Sequence, residues 1–143
     1  MLLLNVGPKP DGTITDEETA VLKEIGAWIK VNGEGIYVTG PWKVFGEGEV
    51  NNVAGSFMDN DEKEFTSSDY RFTYKDGYLY AFCMKPSCTE FCIRSLKEQA
   101  VESVEVLGGY KVVSFSNTED GLKITTDKVP SSDKPICFKI KLK

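Results

Sequence analysis

Two hydrophobic periods divide this chain. Leu2-Leu3-Leu4 and Val6 form a nearly continuous apolar run, the pattern of a strand buried on both faces. A Pro/Gly turn, Pro8-Lys9-Pro10-Asp11-Gly12, follows it. Val21, Leu22, Ile25, Trp28 and Ile29 then recur at helical spacing and predict a helix over Thr15–Val31 with one apolar face. Thr15 and Glu18 have the spacing of a capping box, and Asp16, Glu17 and Glu18 set negative charge on the positive end of the helix dipole. These acids read as capping charge rather than catalytic groups. Asn32-Gly33 reads as a left-handed stop. The apolar face is expected to lie on the strand Leu2–Val6. Such a strand needs parallel neighbours, and no later segment reads as one. The chain is therefore expected to be the tail of a larger protein.

From Gly33 to Glu64 the period dissolves into a glycine-punctuated, polar connector. Asp59 and Asp61 are spaced like the first two ligands of a calcium loop, but Glu64 stands where such a loop needs glycine. After Phe65 the period becomes two. Tyr70, Phe72 and Tyr74 alternate with Arg71, Thr73 and Lys75, and Asp76-Gly77 predicts a type I′ hairpin. Tyr78–Met84 is apolar on both sides and reads as a central strand. Phe91–Leu96 follows. Val104 and Val106 are expected to pair through Gly108-Gly109 with Tyr110–Phe115. Glu119-Asp120-Gly121 turns into Leu122–Thr125. In the final strand Ile136, Phe138, Ile140 and Leu142 face in, while Cys137, Lys139, Lys141 and Lys143 face out. Those lysines discourage edge-to-edge association. Short strands joined by glycine turns predict a mainly β fold, an antiparallel sandwich over 65–143. It is preceded by an orphan strand–helix unit at 1–42 and the connector 43–64.

Composition narrows the function classes. At 143 residues, with 41% apolar and 27% charged positions, the chain is an ordinary globular domain or a small domain with an appendage. Its net charge of −5 and scattered basic residues argue against nucleic acid. No apolar run approaches the ~20 residues of a membrane span, and Met1–Leu4 lacks the basic flank and length of a signal peptide. With no histidine, histidine-dependent triads and the commonest zinc sites are excluded within the chain. Cys83, Cys88, Cys92 and Cys137 lack paired C-x-x-C spacing. Free thiols, a disulfide within Cys83–Cys92 and metal binding stay open on sequence.

The N-terminal block LLLNVGPKPDGTI, the acid-capped helix, EIGAWIKVNGEGIY and PW resemble the end of the catalytic barrel in α-L-fucosidases of glycoside hydrolase family 29. FTSSDYRFTYKDGYLYA, Phe65 to Ala81, is similar to the opening of that family's C-terminal β-sandwich. Weaker similarity continues through Ser95-Leu96, Val106–Gly108 and Asp120–Leu122. The resemblance implies a (β/α)8-like barrel followed by a sandwich. It also implies retaining removal of α-linked L-fucose by an Asp nucleophile and an acid/base carboxylate. Leu2–Val6 then matches the last barrel strand and Thr15–Val31 the last barrel helix. Both catalytic carboxylates belong upstream of Met1, so no residue here is assigned a catalytic role. Asn5 alone, at the C-terminal end of the barrel strand, is a candidate for lining the site. There are departures: Val38 and Gly40 stand where the family often has Gly and Arg, Met1 where it tends to have Asn, and the cysteines match nothing in the pattern.

A retaining glycosidase needs two carboxylates about 5–5.5 Å apart, and the acids here sit in a helix cap, turns and the connector. The chain alone is expected to be inactive, with no metal and no cofactor. The implied partners are the missing barrel and, for the parent enzyme, a fucosylated glycan. Nucleic acid and membrane are not expected, and self-association through the exposed N-terminal strand and helix is. The parent's implied location is secreted, periplasmic or lysosomal. The runner-up is a sugar-binding module presenting Tyr78, Tyr80 and Phe82 as a stacking strip. A third reading is structural: the sandwich shields the barrel's end, with Trp42 at the joint.

Overall fold

The computed structural model describes residues 5–50, 64–130 and 133–143. Leu2–Leu4 of the expected first strand and the Asp59/Asp61 pair lie outside them. Asn5 and Val6 are exposed and outside any strand.

Helix α1 runs Asp16–Asn32 and starts as the cap requires. The Glu18 backbone N–H donates to Thr15 Oγ1 at 3.1 Å, and the Thr15 N–H donates back to the Glu18 carboxylate at 3.4 Å. Its end differs from expectation. Gly33 has φ −60°, in the right-handed region, and the chain tightens into a 3₁₀ turn, Gly33–Gly35. The reason is Asn32, whose buried amide donates to the Trp28 carbonyl at 3.1 Å. That bond draws the terminus inward, where a left-handed residue would swing it out.

Eight strands follow: β1 Gly46–Glu47, β2 Tyr70–Lys75, β3 Tyr78–Cys83, β4 Glu90–Ile93, β5 Val101–Val106, β6 Val112–Thr118, β7 Gly121–Thr126 and β8 Ile136–Leu142. They form an antiparallel sheet in the order β1-β2-β3-β8-β5 and a second in the order β4-β7-β6. Alternation puts Tyr70, Phe72, Leu79, Ala81, Phe138 and Ile140 of the first sheet against Phe91, Ile93, Leu122 and Ile124 of the second. Phe91 meets Phe138 edge-on across the layers, with centroids 5.0 Å apart. Asp76 (φ 51°) and Gly77 (φ 84°) make the predicted hairpin.

Two sequence expectations are corrected. Gly108-Gly109 does not close a hairpin: β5 pairs with β8 in one sheet and β6 with β7 in the other. Successive φ values of 96° and 87° turn the chain across the sandwich instead. β8 is not an edge either, since it lies between β3 and β5. Its lysines fit an interior strand because their heads stay outside the sandwich while their stems lie along the sheet.

Candidate functional site

The feature that links the two halves of the sequence is where α1 sits. It rests on the outer face of the five-stranded sheet. Tyr80 and Phe82 of β3 point outward, opposite the core set Leu79, Ala81 and Cys83, and a second apolar cluster forms there with Cys137. Trp28 covers Phe82 with ring centroids 5.9 Å apart. Its indole N–H donates to the Pro135 carbonyl at 2.7 Å, a bond spanning 107 residues. The 3₁₀ turn is pressed against the same cluster. A Cβ on Gly35 would lie 2.8 Å from Phe82 Cζ and 3.2 Å from Cys137 Sγ, so only glycine permits this approach.

Polar contacts fix the clasp at its rim. Glu34 accepts from Lys139 Nζ at 2.6 Å and from the Tyr80 hydroxyl at 3.0 Å. Thr73 Oγ1 donates to the Gly35 carbonyl at 2.6 Å. Lys139 and Lys141 both lie over the Tyr78 ring, at 4.7 and 4.5 Å from its centroid. The Lys139 ammonium, hydrogen-bonded to Glu34, holds that carboxyl below its ordinary range despite some burial.

Toward the helix N-terminus the same apolar face of α1 is uncovered. Val21 is 55% exposed and Ile25 37% exposed. With Trp28 and Pro135 they line a groove of about 290 Å³, bordered by the Glu24–Lys134 ion pair at 2.9 Å. Beyond the helix, Tyr37, Val38 and Phe45 are 59, 87 and 60% exposed.

General acids in glycosidases need a raised pKa. Among the described residues every carboxyl with a clear displacement goes the other way. The Gly7 and Thr15 backbone N–H groups lower Glu18, and Lys134 lowers Glu24. Asp69 is fully buried at the entry to β2. Burial raises its pKa, but bonds from the Val50 N–H (3.0 Å), the Thr66 N–H (2.8 Å) and the Thr66 hydroxyl (2.8 Å) outweigh that, and the net shift is downward. Asp69 ties the connector to the sandwich. A polar depression of about 490 Å³ lies between Ser67, Ser68, Glu90, Cys92, Arg94, Asp120 and Lys123, with no aromatic wall for a sugar. No group of three Cys, Asp or Glu among the described residues is arranged to hold a metal. All four cysteines are free thiols. Burial pushes Cys83 up to about 12 and raises Cys137 as well.

Of the residues singled out by sequence, Asn5 is exposed and lies two residues before Gly7, whose N–H donates to Glu18 at 3.0 Å. The strip Tyr78-Tyr80-Phe82 is not an open platform: Tyr80 and Phe82 are 2 and 5% exposed under the helix. Trp42 packs edge-on against Phe72 at 5.3 Å and so belongs to the sandwich core. Sequence reasoning passed over Glu34, Gly35 and Asp69. Only Thr66-Ser67-Ser68-Asp69 carries a local signal, since Thr and Asp at this spacing bond each other's backbone.

Comparison with known proteins agrees with this geometry. A family profile described as Alpha-L-fucosidase matches residues 1–34. Tissue alpha-L-fucosidase of Homo sapiens is 30% identical over 138 residues, which is 95% of this chain and 26% of that protein. Plasma alpha-L-fucosidase of Homo sapiens is 50% identical over 42 residues, 29% of this chain and 9% of that protein. The structure of Thermotoga maritima alpha-fucosidase in complex with a mechanism-based inhibitor superposes with a TM-score of 0.69 at 26% identity. It covers 97% of this chain and 30% of that one. The chain thus spans about a quarter of the length of the full-length curated relatives it matches along its whole extent.

Proposed function

Because this chain corresponds to the C-terminal part of an α-L-fucosidase of glycoside hydrolase family 29, we propose that it is the non-catalytic buttress of a retaining enzyme that removes α-linked L-fucose from glycans. Residues 1–42 supply the last strand–helix unit of the catalytic barrel, 43–64 the connector and 65–143 the sandwich. Asn5, at the end of the barrel strand, lines the active site of the assembled enzyme.

One observation carries this reading: the apolar face of α1 is longer than the part the sandwich covers. Trp28 and the turn after the helix bind the sandwich, while Val21 and Ile25, earlier on the same face, remain exposed. An apolar stripe covered over only part of its length calls for a second body. The barrel covers the open part, and in the isolated chain that part draws copies together.

The test uses an aryl α-L-fucoside. The chain alone gives no turnover; co-expression with the catalytic segment of the same enzyme restores it, and V21E/I25E abolishes the restoration. Turnover by the chain alone, lost on mutating one of its own carboxylates, overturns the reading.

A further inference from the structure

Among the described residues the sandwich has four edge strands, and their side chains differ in kind. β1 is two residues long. β4 begins with Glu90 and leads into Arg94, and β5 carries Glu102 and Glu105. Short length and charge keep an edge from pairing with another chain. β6 has neither protection. Its seven residues, VVSFSNT, hold no charge, and five of them are exposed. Val113 is 65% and Phe115 38% exposed. β7 occupies one side of β6, and among the described residues no strand occupies the other. A bulge between Val112 and Ser114 twists only the strand's beginning, and Ser114–Thr118 is regular.

We propose that the free edge of β6 is a self-association surface, where two copies of this chain pair antiparallel about a twofold axis through Ser116. An isologous contact requires a patch complementary to itself. This strand satisfies that: the axis sets Ser116 opposite its own copy, Phe115 opposite the second copy's Asn117, and Ser114 opposite its Thr118. Every opposed pair is uncharged, so the backbone groups on both free edges pair without like-charge cost. The same operation on β5 would set Glu102 opposite the second copy's Glu105. Asn117 does not block the approach. Its amide donates to the Gln99 carbonyl, two residues before β5, through the side chain and not the backbone. The edge belongs to the three-stranded sheet, whereas α1 lies on the other sheet, so the contact is independent of the docking side proposed above.

The test is sedimentation equilibrium of the full chain by analytical ultracentrifugation at roughly 100 μM, which populates a dimer whose Kd is about that value. In the V21E/I25E background, which removes association through α1, the chain is expected to sediment as a monomer–dimer equilibrium, and the substitutions below are made in that background. S116D and S116K should each weaken the dimer on the order of fivefold, from like charges set face to face. An equimolar mixture of the two should restore it. Circular dichroism melts check that both variants stay folded, and S114D provides a second variant if one does not. A monomer in the V21E/I25E background, a dimer indifferent to S116D and S116K, or no recovery on mixing would each overturn the proposal.

Discussion

Replacing Trp28 should release the helix from the sandwich without melting the sandwich itself. Trp28 is half-buried against Phe82, and its indole N–H reaches the Pro135 carbonyl. W28A removes on the order of 100 Å² of apolar contact, worth about 2.5 kcal/mol at roughly 25 cal/mol per Å². The lost hydrogen bond adds about 1 kcal/mol. W28F keeps most of the ring contact and loses mainly the bond, about 1 kcal/mol. Cysteine labelling can read this directly. Cys137 lies under the clasp, whereas Cys83 faces the inner core, and both are fully buried. Burial holds both thiols protonated at neutral pH, so each reacts only when its surroundings open. When reclosing is fast, the labelling rate follows the open population. With tenfold in population per ~1.4 kcal/mol, W28A should speed Cys137 labelling about 300-fold and W28F about fivefold. Cys83 should stay near its original rate. The assay is maleimide labelling followed by peptide mass mapping. If Cys83 accelerates together with Cys137, helix and sandwich unfold as one unit and the separation argued here is refuted.

Other expectations follow from the same contacts. D69N should cost about 2 kcal/mol in urea unfolding at pH 7, because the Val50 and Thr66 N–H groups lose a charged acceptor. Asp69 has a lowered folded pKa, so its stabilisation is full above the unfolded value of ~3.9 and disappears as pH falls through the folded value. The gap between D69N and the parent should accordingly close in melts below about pH 4; a constant gap would rule out the carboxylate as the cause. G35A should lower thermal stability by about 1–3 kcal/mol, since its methyl would meet Phe82 and Cys137, and should raise Cys137 labelling as W28A does. Removing residues 1–32 uncovers Phe82 and Cys137 but leaves the inner core. A cooperative melt at reduced temperature is expected by circular dichroism.

Local chemistry was readable and long-range pairing was not. The Thr15–Glu18 cap and the Asp76-Gly77 turn depend on residues a few positions apart, and both formed as read. The inward set of β8 followed from alternation, because one of its faces carries lysines and the other must be dry; β3, apolar on both faces, left open which set turned inward. Gly108-Gly109 permits any tight turn, so nothing local distinguishes a hairpin from a crossing between sheets. Lysines on β8 suggested an edge, yet aromatic Tyr78 and acidic Glu34 accommodate them on an interior strand. The clasp was hidden for a related reason. Tyr80 and Phe82 announce a second apolar face, but only the fold says that α1 and Gly35 are what cover it.

The place of β8 also constrains how this domain is made. Strand Ile136–Leu142 is the latest of the eight in sequence, yet it lies between β3 and β5. Until it leaves the ribosome, the β2–β3 hairpin and β5 have no ladder joining them, and Phe138 has not filled the space beside Phe91. Trp28 likewise waits for Pro135. A nascent chain must therefore carry an unfinished sheet almost to the end of this stretch, the condition under which exposed strand borders invite misassembly. A stop codon shortly before Ile136 would remove the centre of the sheet, not a dispensable margin. Frameshifts or truncations there should yield no folded domain, even though some nine-tenths of its sequence would have been synthesised.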